Sequence, residues 1–159
     1  MNQALFAAGC FWGVQFYFDQ VPGVVNTEVG YCGGSVENPT YEQVCTQTTG
    51  HAEAVRIEFD PTVVHFETLV QQFLYMHDPT QEGGQGPDIG DSYRSAIFYT
   101  TDEQRQIAER VIQTAAGSYK KPIVTKIEAA TTFWPAEAYH QKFAERTGRG
   151  MCHKPFKQL

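Results

Sequence analysis

The sequence predicts an α+β two-layer sandwich, a mixed, mostly antiparallel sheet with helices packed on it. Three observations carry this. Runs that alternate apolar and polar residues, such as Val55-Arg56-Ile57-Glu58-Phe59, are interleaved with runs of helical period, such as Phe66, Leu69, Val70, Phe73 and Leu74. The joints between them read as both hairpin-like turns and crossovers, which argues against a doubly wound parallel sheet. The 159 residues, 42% hydrophobic and 19% charged, suit one domain (1–159) with its own core.

Taken in order, Gln3–Ala7 is a short apolar strand, and Gly9 permits the turn into a helix that starts near Phe11. Residues 11–18 (FWGVQFYF) are apolar on more than one face, so that helix is largely buried. Val24–Tyr31 is a strand with Val25, Thr27, Val29 and Tyr31 on one side. Residues 32–50 read as a loop with a helical turn around Tyr41, and Ala52–Phe59 as a strand closed by Asp60-Pro61. A helix follows over Val64–Met76, then a Gly/Pro/Asp-rich loop, then a strand over Ser95–Tyr99. Thr101 and Gln104 form a capping box that opens a helix to Ala116. Ile123–Ala129 is one more strand, Pro135 opens a last helix to Arg146, and 148–159 is a mobile tail. This order accommodates a ferredoxin-like core.

The net charge of −6 offers no general attraction for nucleic acid or an anionic membrane. No apolar run reaches the roughly 18 residues of a membrane span, and the N-terminal residues lack the pattern of an export signal. Four cysteines, Cys10, Cys32, Cys45 and Cys152, form no CxxC, and reduced thiols in the cytoplasm are expected. His51, His77, His140 and His153 form no compact ligand pairs with them, so neither a metal nor another cofactor is expected.

Cys10, in GCFWG, sits where a helix begins, and unpaired amides with the helix dipole favour a thiolate there. Phe11 and Trp12 can wall an apolar pocket for a methyl or thioether group. Glu53 shares the apolar face of its strand with Val55, Ile57 and Phe59. An inward carboxylate needs a partner or a neutral form.

GCFWG, GYCGG (30–34), NPTY (38–41), GHAEAV (50–55), HDPTQ (77–81), YRSAIFY (93–99), FWPAEAYHQ (133–141) and the tail cysteine together resemble the A-class peptide methionine sulfoxide reductases over essentially the whole chain. The resemblance implies a thiol enzyme that reduces the S epimer of methionine sulfoxide, free and in oxidised proteins, with thioredoxin or a similar thiol reductant as partner. It implies Cys10 as the nucleophile that becomes a sulfenic acid and Glu53 as the protonated acid on the sulfoxide oxygen. Tyr41 and Tyr93 are then hydroxyl donors to that oxygen, Asp88 orders the polar side, Phe11 and Trp12 receive the methyl group, and Cys152 resolves the sulfenic acid as a disulfide. A monomer is expected.

The chain departs from the family pattern in places. Cys32 stands where relatives usually have threonine or serine and could serve as an auxiliary thiol; Cys45 is structural or auxiliary. Gln15 replaces a common glutamate, and Asp91 and Ser92 differ from the usual residues. The rival readings are a thiol peroxidase or disulfide-exchange enzyme, which leaves Glu53 and the tyrosines unexplained, and a module that binds the sulfoxide without reducing it.

Overall fold

The computed structural model describes residues 1–151 and 153–155. Along the chain run β1 (Asn2–Ala8), α1 (Phe11–Phe18), β2 (Val24–Cys32), α2 (Tyr41–Cys45), β3 (Ala52–Phe59) and α3 (Phe66–Met76). They are followed by β4 (Gly84–Gln85), β5 (Asp88–Ile89), β6 (Ser95–Tyr99), α4 (Asp102–Ala115), β7 (Lys126–Ala129), β8 (Trp134–Pro135) and α5 (Phe143–Thr147). The main sheet is ordered β7-β6-β1-β3-β2-β8, and all of its pairs are antiparallel except β6 with β7. Its inner four strands, β6-β1-β3-β2, connected as βαββαβ, are the ferredoxin-like core.

Strand alternation sorts the two faces. Phe6 of β1 and Val55, Ile57 and Phe59 of β3 lie under the helices with Val14, Phe18, Leu69, Val70 and Phe73. Phe6 stacks on Phe18, Phe66 and Phe73 at centroid distances of 5.3, 6.0 and 5.1 Å. The other face carries a smaller cluster of Leu5, Ala7, Cys32, Ala52, Ala54, Ala96 and Phe98, against which Ala130 and Phe133 pack.

Four sequence expectations are corrected. Val25 points outward, because a bulge between Val24 and Asn26 shifts the alternation of β2. The helix expected from Val64 begins at Phe66, since the Asp60 carboxylate accepts from both the Thr62 amide and its hydroxyl and holds a turn there. At α4 the Thr101 hydroxyl caps the Gln104 amide, but the Gln104 side chain accepts from Thr100 N–H and donates to Gln3 O, so the box is only half made.

The largest correction is at the C-terminal end. Pro135 does not start a helix; Trp134–Pro135 pairs with Gly30 and Tyr31 as β8, and only Phe143–Thr147 is α-helical. The reason is tertiary. A Cβ on Gly30 would lie 2.4 Å from Trp134 O and 2.5 Å from Phe133 Cζ, so the bare glycine lets this segment close on the edge of β2. The Gln141 side chain then completes the edge, accepting from Val29 N–H at 3.0 Å and donating to Val29 O at 2.9 Å.

Candidate active site

Cys10 occupies the N-cap position of α1, with the β1–α1 connection behind it. Its neighbour in space is Glu53, carried by β3 on the helix-facing side and 2% exposed. The Phe11 N–H donates to Glu53 Oε1 at 3.1 Å, so the first free amide of the helix is spent on this carboxyl. Burial pushes the Glu53 carboxyl up to about 8, with the Phe11 amide opposing and the Asp88 charge adding, so it holds its proton at neutral pH.

The thiolate expected at Cys10 is not the resting form. Burial and the Glu53 charge push the thiol up to about 12, outweighing the amides of Trp12 and Gly13 that favour the anion. Protonation of Glu53 removes its share of that rise but leaves the burial and the Asp88 charge. The resting pair is therefore a neutral thiol beside a neutral acid.

Tyr41 opens α2 and Tyr93 ends a 3-10 turn, Asp91–Tyr93, before β6. Both phenols are pushed upward by burial and by the Glu53 charge, and so remain hydroxyl donors. The Gln47 side chain joins their two supports, accepting from Ser92 N–H at 2.8 Å and donating to Ser92 Oγ at 3.0 Å. Asp88 is held by the β4–β5 hairpin, which Gln85 ties to residue 78: its Oε1 accepts from Asp78 N–H and its Nε2 donates to Asp78 O. With Asp88, Cys10 lines a cavity of about 50 Å³.

Phe11 is buried and Trp12 half-buried, and both rings contact His140 at centroid distances of 5.2 and 5.7 Å. The Trp12 Nε1–H donates to His140 Nδ1 at 3.0 Å, which puts the imidazole proton on Nε2. That Nε2 is buried without a partner among the described residues. Tyr41 packs on the same imidazole at 4.4 Å. Sequence reasoning set His140 aside as a metal-ligand candidate and missed its place between three site rings. Glu137 was also missed. It accepts from Tyr41 N–H at 2.9 Å and from Tyr31 OH at 2.8 Å, pinning the start of α2 to the sheet. The FWPAEAYHQ motif contains both residues, but only the β8 pairing brings them to the site.

The structure thus gathers Cys10, Phe11, Trp12, Tyr41, Glu53, Asp88 and Tyr93. Cys32 is not among them. It is fully buried in the cluster on the opposite face of the sheet, its Sγ 3.8 Å from Thr131 O, which removes the geometric basis for trapping a Cys10 sulfenic acid. Cys45 is nearer, exposed at the end of α2 with Tyr41 and Tyr93 close enough to influence its thiol. Cys152 lies outside the described residues. Among the described residues no group of His, Cys, Asp and Glu is arranged to hold a metal, and no helix is long and apolar enough to cross a membrane.

Comparison with known proteins agrees in sequence and in fold. The family model "Peptide methionine sulfoxide reductase" matches residues 2–159. "Peptide methionine sulfoxide reductase MsrA" of Acidobacterium capsulatum is 50% identical over 155 residues, covering 96% of this chain and 99% of that protein. The protein of that name from Methanothermobacter thermautotrophicus is 52% identical over 154 residues, covering 96% and 91%. Among solved structures, reduced Mxr1 from Saccharomyces cerevisiae superposes with a TM-score of 0.90 at 28% identity, covering 98% of this chain and 92% of that one.

Proposed function

The chain belongs to the peptide methionine sulfoxide reductase family and reduces methionine sulfoxide to methionine through cysteine chemistry, and we propose that it acts on the S epimer with Cys10 as nucleophile and Glu53 as proton donor. The observation that carries this is the buried Glu53 carboxyl, protonated at neutral pH and fixed by the Phe11 amide beside Cys10.

The sulfoxide oxygen is received by the Glu53 carboxyl and the Tyr41 and Tyr93 hydroxyls, and the methyl group rests against Phe11 and Trp12. Glu53 protonates the oxygen as the Cys10 sulfur attacks, and the thiol proton returns to the carboxylate that Glu53 becomes. The substrate S–O bond breaks, the oxygen passes to Cys10 as a sulfenic acid, and methionine leaves, so the enzyme sulfur is oxidised by two electrons and the substrate sulfur reduced by two. A neutral thiol at rest suits this order, since the proton donor must act before or with the nucleophile. Because the sulfoxide sulfur is pyramidal, only one epimer presents methyl, oxygen and sulfur together to these three groups.

Cys152 then condenses with the sulfenic acid, and a thioredoxin reduces the disulfide; yeast Mxr1 has been crystallised in complex with Trx2. Free methionine sulfoxide and oxidised proteins are both substrates in this reading. Separated S and R sulfoxides with excess dithiothreitol test it. Methionine should form from the S epimer alone and not with Cys10→Ser. Reduction of the R epimer would refute the stereochemical assignment, and binding without turnover would make this a sulfoxide-binding module.

A further inference from the structure

Neither Tyr41 nor Tyr93 lies on a strand, so no ladder sets the distance between their hydroxyls. Both lie close enough to Glu53 to feel its charge. Gln47 ties their two supports together. On one side it belongs to the end of α2, where its N–H donates to Val44 O at 3.0 Å and its side-chain amide donates to Cys45 O at 3.3 Å. On the other it reaches the 3-10 turn: Oε1 accepts from Ser92 N–H at 2.8 Å, and Nε2 donates to Ser92 Oγ at 3.0 Å. Ser92 is 1% exposed and immediately precedes Tyr93. It is also one of the positions at which this chain departs from the family pattern, and its partner comes from another loop.

Two backbone features make room for this clasp. Gln47 has a φ of 66°, a left-handed conformation uncommon for glutamine. Such a position persists only where its surroundings over-determine it. Gly90 supplies the space: a Cβ there would lie 2.6 Å from Gln47 Cδ and 2.7 Å from Gln47 Oε1, so the amide fits only over a bare glycine. Tyr93 N–H donates to Gly90 O at 3.1 Å, closing the turn against which the amide rests. Gly90 follows Asp88 by two residues, so the contact bears on the loop of Asp88 as well.

We propose, resting on the donor roles given to the two tyrosines above, that Gln47 is a positioning residue that sets the spacing of the Tyr41 and Tyr93 hydroxyls around the sulfoxide oxygen. Two donors serve one oxygen only if both lie within hydrogen-bond reach of the place where its charge develops. A misplacement of about 1 Å costs such a site as much as roughly 100-fold. Without the clasp each tyrosine is left to its own loop, and the oxygen is no longer gripped by both hydroxyls together. Those bonds strengthen as the S–O bond breaks, so the loss falls on the chemical step more than on binding. Binding keeps the methyl contacts with Phe11 and Trp12.

Single turnovers of reduced enzyme with rising S sulfoxide give the rate of methionine release at saturation and the half-saturating concentration. Gln47→Asn is the informative variant, since asparagine accepts the left-handed turn but is one methylene too short for Ser92. It should lower the saturating rate about tenfold and move half-saturation by less than about threefold. Ser92→Ala removes the bond to Oγ and leaves the turn alone, and should fall between Gln47→Asn and wild type. With both tyrosines changed (Tyr41→Phe, Tyr93→Phe), Gln47→Asn should cost nothing further. An unchanged saturating rate in Gln47→Asn would overturn the proposal. So would a loss confined to half-saturation, or one that persists in full when the two hydroxyls are gone. Full-rate methionine release with both tyrosines changed would instead refute the donor roles themselves.

Discussion

The β1–α1–β3 frame and the described residues between 130 and 155 both furnish the site, yet they are built on different terms. The frame is held by backbone ladders and a repeated apolar stripe, with Phe6, Val55 and Ile57 of the strands packed in one cluster with Val14 and Phe18 of α1. Such interactions are many and individually replaceable. The later segment has little regular structure, and single side chains do the work of a ladder: Gln141 for the edge of β2, Glu137 for the start of α2, and His153 for the tail. Loss of one such bond leaves specific backbone groups without partners. The frame can therefore hold a costly buried acid, while the segment tunes what stands around it.

The sharpest way to break that comparison is to remove the acid from the frame. Glu53→Gln should lower kcat/KM by roughly 100-fold or more, the scale of general acid catalysis. It should also stabilise the protein. The native carboxyl keeps its proton up to about pH 8, whereas the unfolded one releases it near 4.5. Between those values the native state binds more protons, so wild-type stability falls as pH rises. The full penalty above pH 8 is on the order of 5 kcal/mol. Thermal melts should show Glu53→Gln above wild type at pH 9 and close to it at pH 4; a gap that does not widen with pH would mean the acid is ionised in the native state.

In the later segment, Gln141→Ala should cost about 1–3 kcal/mol in urea unfolding, since Val29 N–H then has no partner and the Ala136 and Val29 carbonyls each lose a donor. No change would mean that β8 is held by packing alone. The smallest effect should come from the outer face of the frame. The Arg56–Glu28 pair has both side chains 34% exposed, and Glu28→Gln should change stability by less than about 1 kcal/mol. A larger loss would assign that pair a role in seating Phe133, over whose ring the Arg56 guanidinium lies at 4.5 Å.

Much of this was legible in the sequence because its causes are local. The period of residues 52–59 placed Glu53 on the buried face, and the glycine and aromatics of GCFWG placed Cys10 at a helix start. The motif series named the family before any geometry was known. Local pattern could not show that Cys32 faces away from Cys10, since Tyr31 and Cys32 are neighbours on opposite sides of one strand and which side meets the helices is a property of the sheet. Nor could it show that Pro135 enters a strand edge, because the deciding space lies over Gly30, more than a hundred residues away. The same holds for the protonation of Cys10 and Glu53. Residue type sets their ordinary affinities, but their resting states come from desolvation and from neighbouring charges, Asp88 among them, which exist only once the fold has put them together.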